Sequence, residues 1–217
     1  MASCWFWGLT TSLKYLSVSA ILSGQIPDAL AAMTSLQVLD FSGFRNSVTV
    51  PLYLLRNLCS LEILNLELSL ASGNMTQFLE SLQQNCSSHK KIRQLNLADN
   101  FINGTLPTGM SRFINLVTHS PSNSLSGTFP SFLQGCTQLG LLDLSGNNFT
   151  GRLPIWIGDL MELRYLSLSN NLFYGNIAFS ITNLGKLYNL NLAGNGLSGA
   201  IPCHLSNLIA MAVGRKW

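Results

Sequence analysis

Three consecutive stretches of the chain superimpose letter by letter. They begin at Leu139 (LGLLDLSGNNFTGRLP), Leu163 (LRYLSLSNNLFYGNIA) and Leu187 (LYNLNLAGNGLSGAIP), 24 residues apart, and share the frame L-x-x-L-x-L-x-x-N-x-[LF]-x-G-x-[IL]-[PA]. A fixed period of this length predicts a stack of like units, because one unit cannot bury its own apolar face. A further complete copy starts at Ile92, with Asn100, Ile102, Gly104, Leu106 and Pro107 in frame. Looser copies start near residues 13, 36, 61 and 116, the third running through an irregular excursion over 69–91. The expectation is a single domain over 1–217 with about eight coils and ends that nothing caps.

The frame dictates local structure. In L-x-x-L-x-L the alternating leucines share one face of a short strand and the intervening residues the other. Side by side, the copies predict a parallel sheet whose leucine face is buried, each buried leucine stabilising by about 1.5–3 kcal/mol. The asparagine nine positions in reads as a buried amide that satisfies backbone groups where the chain turns. The glycine suits the tight bend after it, and the I-P pair reads as a second short extended segment. Gly194, Gly196 and Gly199 match G-x-G-x-x-G, but Gly194 and Gly196 fall at variable positions of the frame and no helical period follows. A dinucleotide loop is therefore not expected there, nor any other cofactor.

These rows resemble the plant-specific class of leucine-rich repeat found in receptor-like proteins and receptor-like kinases, marked by N-x-L-[ST]-G-x-[IL]-P. The resemblance covers residues 11–210 and is most specific in the units from Ile92, Leu139, Leu163 and Leu187; "WFWGLTTSLKYL" and "LRNLCSLEIL" are similar to grass receptor-like ectodomains. It implies an α/β-type solenoid: a right-handed coil with a concave parallel β-sheet and a convex side of short strands, 3-10 turns and loops. It also implies an ectodomain on the outer side of the plasma membrane. Such a domain takes a peptide, glycan or protein ligand and acts in defence or development through a co-receptor or adaptor kinase. A secreted scaffold resembling the polygalacturonase-inhibiting proteins is the alternative, and a degenerate receptor fragment without activity is another. The missing cysteine-paired caps and the elongated third unit favour the receptor.

Composition excludes more than it selects. A net charge of +3 is spread over the chain, so a nucleic-acid partner is not expected. The basic run at residues 89–93 reads as a solvated loop. "MASCWFWGLT" is too short and broken for a signal core, and no apolar run reaches the length of a membrane span. The chain therefore reads as an interior piece of an ectodomain, with exposed leucines at both ends of the stack that favour association. The histidines fall in unrelated units and the acidic residues are dispersed, so neither a catalytic constellation nor a metal site is expected.

Five cysteines without C-x-x-C spacing argue against zinc and redox chemistry. Cys59 precedes the third unit and Cys86 closes it; a bridge between them and two buried free thiols both fit. N-glycosylation sequons stand at Asn74, Asn85, Asn103 and Asn148, no more than the Asn, Ser and Thr content gives by chance. In the copy counted from Leu116, His119 and Pro121 occupy the core positions, which predicts broken strand pairing over residues 118–121.

Ligand-binding residues should flank the core leucines on the sheet's outward face. The third position of the frame gives Tyr15, Val38, Ile63, Gln94, Leu141, Tyr165 and Asn189. The fifth gives Ser17, Asp40, Asn65, Asn96, Asp143, Ser167 and Asn191. Aromatic and aliphatic anchors beside amides and carboxylates suit a peptide or protein surface.

Overall fold

In a computed structural model, which describes residues 11–18, 26, 28–43, 51–70, 72–83, 86, 92–106, 115–117 and 123–212, the repeats coil into a solenoid with two parallel sheets. The larger sheet takes one three-residue strand from each unit: Tyr15–Ser17 (β1), Val38–Asp40 (β2), Ile63–Asn65 (β3), Gln94–Asn96 (β5), Asn115–Val117 (β7), Leu141–Asp143 (β9), Tyr165–Ser167 (β11) and Asn189–Asn191 (β13). Each strand pairs in register with the strands of the preceding and following units. The second sheet joins Gly73–Asn74 (β4), Ile102–Thr105 (β6), Ser124–Gly127 (β8), Asn148–Gly151 (β10), Leu172–Asn176 (β12) and Gly196–Ser198 (β14).

The second strand forms on the segment around the frame glycine, one step earlier than the I-P pair to which the sequence assigns it. Gly104, Gly127, Gly151, Gly175 and Gly199 adopt positive φ between 79° and 102° in the last two residues of that strand or just after it. The prolines serve a different purpose. Pro130 and Pro154, both extended, precede the 3-10 helices Ser131–Gly135 and Ile155–Asp159. Proline lacks the N–H that a helix start leaves unpaired, so it is well placed there. Phe179–Asn183 and Leu205–Asn207 are 3-10 helices at the same station of later coils.

Between the layers the core is a file of leucines with phenylalanines inserted. Leu95, Leu116, Leu142 and Leu166, the central residues of successive strands, are buried, as are Phe149 and Phe173, whose rings stack at 6.4 Å. The frame asparagines tie the coils. Asn100 donates to Leu66 O and Leu97 O, both at 2.9 Å, and accepts the Ser69 N–H at 2.9 Å. Asn147, Asn171 and Asn195 repeat the arrangement down the stack.

The copy counted from Leu116 is out of phase with that counting. Leu116 pairs with Leu95 and Leu142, so it is the fourth residue of its frame and not the first, and the ladder is continuous over Asn115–Val117. The break in pairing expected at His119 and Pro121 falls on residues 118–121, which lie outside the described residues. Asn123 nevertheless fills the amide's role, donating to Leu97 O at 3.0 Å and accepting the Ile102 N–H at 2.9 Å.

Gly194 is not at a free position either. The eighth residue of the frame adopts positive φ in coil after coil, at Gly43, Leu68, Asp99, Gly146, Asn170 and Gly194. The last two glycines of the apparent cofactor motif belong to the strand and bend that follow.

The excursion carries β4 and a nine-residue α-helix, Met75–Gln83. Met75, Phe78, Leu79 and Leu82 are buried at helical spacing, and Asn74 Oδ1 accepts the Gln77 N–H at 3.2 Å as an N-cap. A Cys59–Cys86 disulfide, with Cα atoms 5.5 Å apart, closes the excursion; Cys136 is buried and Cys203 exposed as free thiols.

Candidate functional site: the outward face of the eight-stranded sheet

Register turns the two columns read from sequence into continuous rows. Tyr15, Val38, Ile63 and Gln94 are neighbours in one row, which continues through Asn115 to Leu141, Tyr165 and Asn189. Ser17, Asp40, Asn65 and Asn96 begin the other, which runs through Val117 to Asp143, Ser167 and Asn191. The sequence missed Asn115 and Val117 because the shifted frame at Leu116 concealed them. Tyr15 is 67% exposed, Asn189 and Asn191 are exposed, and Val38, Asp40, Gln94, Asn96, Leu141, Asp143 and Tyr165 are half-buried. Ser167 is buried and does not present itself to solvent; its Oγ lies 3.4 Å from that of Ser169.

The fifth position has a structural duty that the sequence did not reveal. Its Oδ1 accepts the backbone N–H two residues on: Asp40 from Ser42, Asn65 from Glu67, Asn96 from Ala98, Asp143 from Ser145 and Asn191 from Ala193, at 3.0–3.2 Å. A short acceptor side chain that closes its own turn explains why Asp and Asn recur there.

Two contacts organise the face. Tyr165 donates its hydroxyl to Asp143 Oδ2 at 3.5 Å, across one strand spacing. Burial, followed by the neighbouring Asp143 charge, pushes the Tyr165 phenol above its ordinary value. Three coils away, Asn96 Nδ2 donates to Glu67 Oε2 at 2.9 Å, which adds a carboxylate from the seventh position. The face thus offers aromatic and aliphatic surface beside carboxylates and amides.

The sequons lie elsewhere. Asn103 and Asn148 are exposed on the second sheet, Asn74 is half-buried at the helix cap, and Asn85 falls outside the described residues. Among the described residues, no helix is long and apolar enough to cross a membrane.

A coil of leucine-rich units, one strand of each in a continuous parallel sheet and an asparagine ladder beside it, defines a leucine-rich repeat solenoid. Residues 121–173 and 186–208 match two leucine-rich repeat family models. The chain is 32% identical over 126 residues to receptor-like protein 35 of Arabidopsis thaliana, and 31% identical over 124 residues to receptor-like protein 14 of the same plant. These stretches are 58% and 56% of this chain, and the chain spans 12% of the length of either relative. Among solved structures it is similar to the ectodomain of the Arabidopsis receptor kinase HAESA in complex with an N-terminally extended IDA peptide hormone. That likeness has a TM-score of 0.65 at 27% identity and covers 91% of this chain and 36% of the other.

Proposed function

We propose that this chain is an extracellular recognition module of a plant cell-surface leucine-rich repeat receptor. It takes a peptide, glycan or protein ligand across the eight-stranded sheet and acts in defence or developmental signalling through a co-receptor or adaptor kinase of the intact receptor. It binds rather than catalyses, and it needs no cofactor. The observation that carries this reading is the pair of unbroken rows over eight strands, where Tyr15, Val38, Leu141 and Tyr165 stand beside Asp40, Asn96 and Asp143. The similar HAESA ectodomain is complexed with a peptide hormone, which supports a peptide above the other ligand classes.

The test is retention of secreted plant peptides on the immobilised chain, followed by affinity measurement on the retained species. Tyr165→Ala combined with Asp143→Asn removes the aromatic anchor and the charge, while the Asn oxygen still closes the turn at Ser145. A loss of roughly tenfold or more in affinity, with a cooperative melt that shows the variant still folded, is the expected result. Unchanged affinity removes both residues from the site, and no saturable retention of any peptide overturns the peptide assignment.

A further inference from the structure

A second concave site lies away from the eight-stranded sheet, and nothing in the proposed ligand face accounts for it. It is a groove of about 750 Å³ beside β10 and β12, lined by Arg152, Ile155, Gly175, Asn176, Ala178 and Phe179 among others.

Its lining includes a departure from the repeat. The units from Ile92, Leu139 and Leu187 carry Pro107, Pro154 and Pro202 where the unit from Leu163 carries Ala178. Ala178 has φ −59° and ψ 122°, close to Pro154 at −71° and 147° and Pro130 at −64° and 111°. The backbone is therefore already set for proline, and the groove wall lacks the Cγ and Cδ of a ring.

The contents of the groove select a chemistry. Ile155 and Phe179, each one residue past the proline station, are 83% and 58% exposed, and the Phe179 ring is held edge-on against His204 at 5.6 Å. Arg152 lies across Gly175: a Cβ there would stand 3.4 Å from the Arg152 Cγ. Arg152 pairs with no carboxylate among the described residues, and no acidic side chain lines the groove. An exposed apolar pair beside an uncompensated guanidinium complements a carboxylate flanked by apolar side chains.

We propose that this groove is a docking site for a segment of a partner protein that presents an Asp or Glu next to a large apolar side chain. The carboxylate meets Arg152 and the apolar side chain packs between Ile155 and Phe179. Because none of these residues belongs to the eight-stranded sheet, the site is available while that sheet is occupied.

The probe is an acetylated, amidated tetrapeptide Leu-Asp-Phe-Gly, titrated into the 217-residue chain and followed by NMR at the Arg152 Nε–H and the Phe179 ring. The control peptide carries Lys in place of Asp. The expected result is a saturable shift at both residues with about tenfold preference for the Asp peptide, the ordinary size of one charge-assisted contact. Ala178→Pro should abolish the shift and leave the fold unchanged by circular dichroism, and Arg152→Glu should reverse the preference. Four results overturn the proposal: no saturable shift, equal response to the two peptides, undiminished binding in a folded Ala178→Pro variant, or shifts that follow chain concentration and so report a second copy. If Ala178→Pro does not fold, Arg152→Glu decides alone, and a retained preference for the Asp peptide overturns the proposal.

Discussion

The Phe149 N–H donates to the Asn171 side-chain oxygen at 3.0 Å, so each coil borrows its hydrogen-bond acceptor from the coil that follows. The same amide donates to Leu144 O at 2.9 Å and to Leu168 O at 3.1 Å, in the neighbouring coil and its own.

Asn171→Ala leaves the buried Phe149 N–H without its acceptor, while Leu144 O and Leu168 O keep the amides of Asn147 and Asn195; it should cost about 1–3 kcal/mol, the penalty of one unsatisfied buried group. Asn195, which accepts the Phe173 N–H at 3.0 Å but is half-exposed, should cost about half as much on the same change. Urea denaturation of the two variants measures the difference. Equal losses would show that burial does not set the strength of the ladder.

The Cys59–Cys86 bridge closes a loop with a sequence separation of 27 and holds the helix-bearing excursion onto the stack. Replacing both cysteines with serine should lower stability by about 3–4 kcal/mol by the loop-entropy relation. The loss should be absent when wild type and variant are compared under reducing conditions. Thermal melts with and without reductant read both statements.

Leu68 is the bulky member of a left-handed row that elsewhere holds Gly, Asp or Asn, with φ 54°. Leu68→Asn should raise stability by about 0.5–1 kcal/mol, because Asn accepts this conformation more readily and Leu68 is only half-buried. A lower denaturation midpoint would mean that its side-chain contacts outweigh its backbone strain.

The Tyr165 phenol is raised by burial and by the Asp143 charge, so the folded chain holds that proton more tightly than the unfolded chain. Its contribution to stability is complete below the unfolded value of 10.0 and is lost as pH rises through the folded value. Asp143→Asn should therefore move the titration of this tyrosine down towards 10.0 without reaching it, since burial remains. Tyrosinate absorbance, with Tyr165→Phe as the subtraction, checks the direction; an upward move would contradict the assigned cause.

The sequence by itself determined the solenoid, because a 24-residue period, leucines at alternate positions and an asparagine at the turn are local patterns with one stacking solution. It placed Asp143 and Tyr165 on the outward face for the same reason. What only the tertiary structure decided are relations between coils. The strand centre at Leu116, the burial of Ser167, the turn-closing duty of Asp40 and Asn96, the bridge between Cys59 and Cys86, and the groove beside Ala178 all depend on which residue faces which across a coil spacing. Periodicity fixes direction along the chain, whereas contact between neighbours depends on register and on the volume of the side chains that meet there.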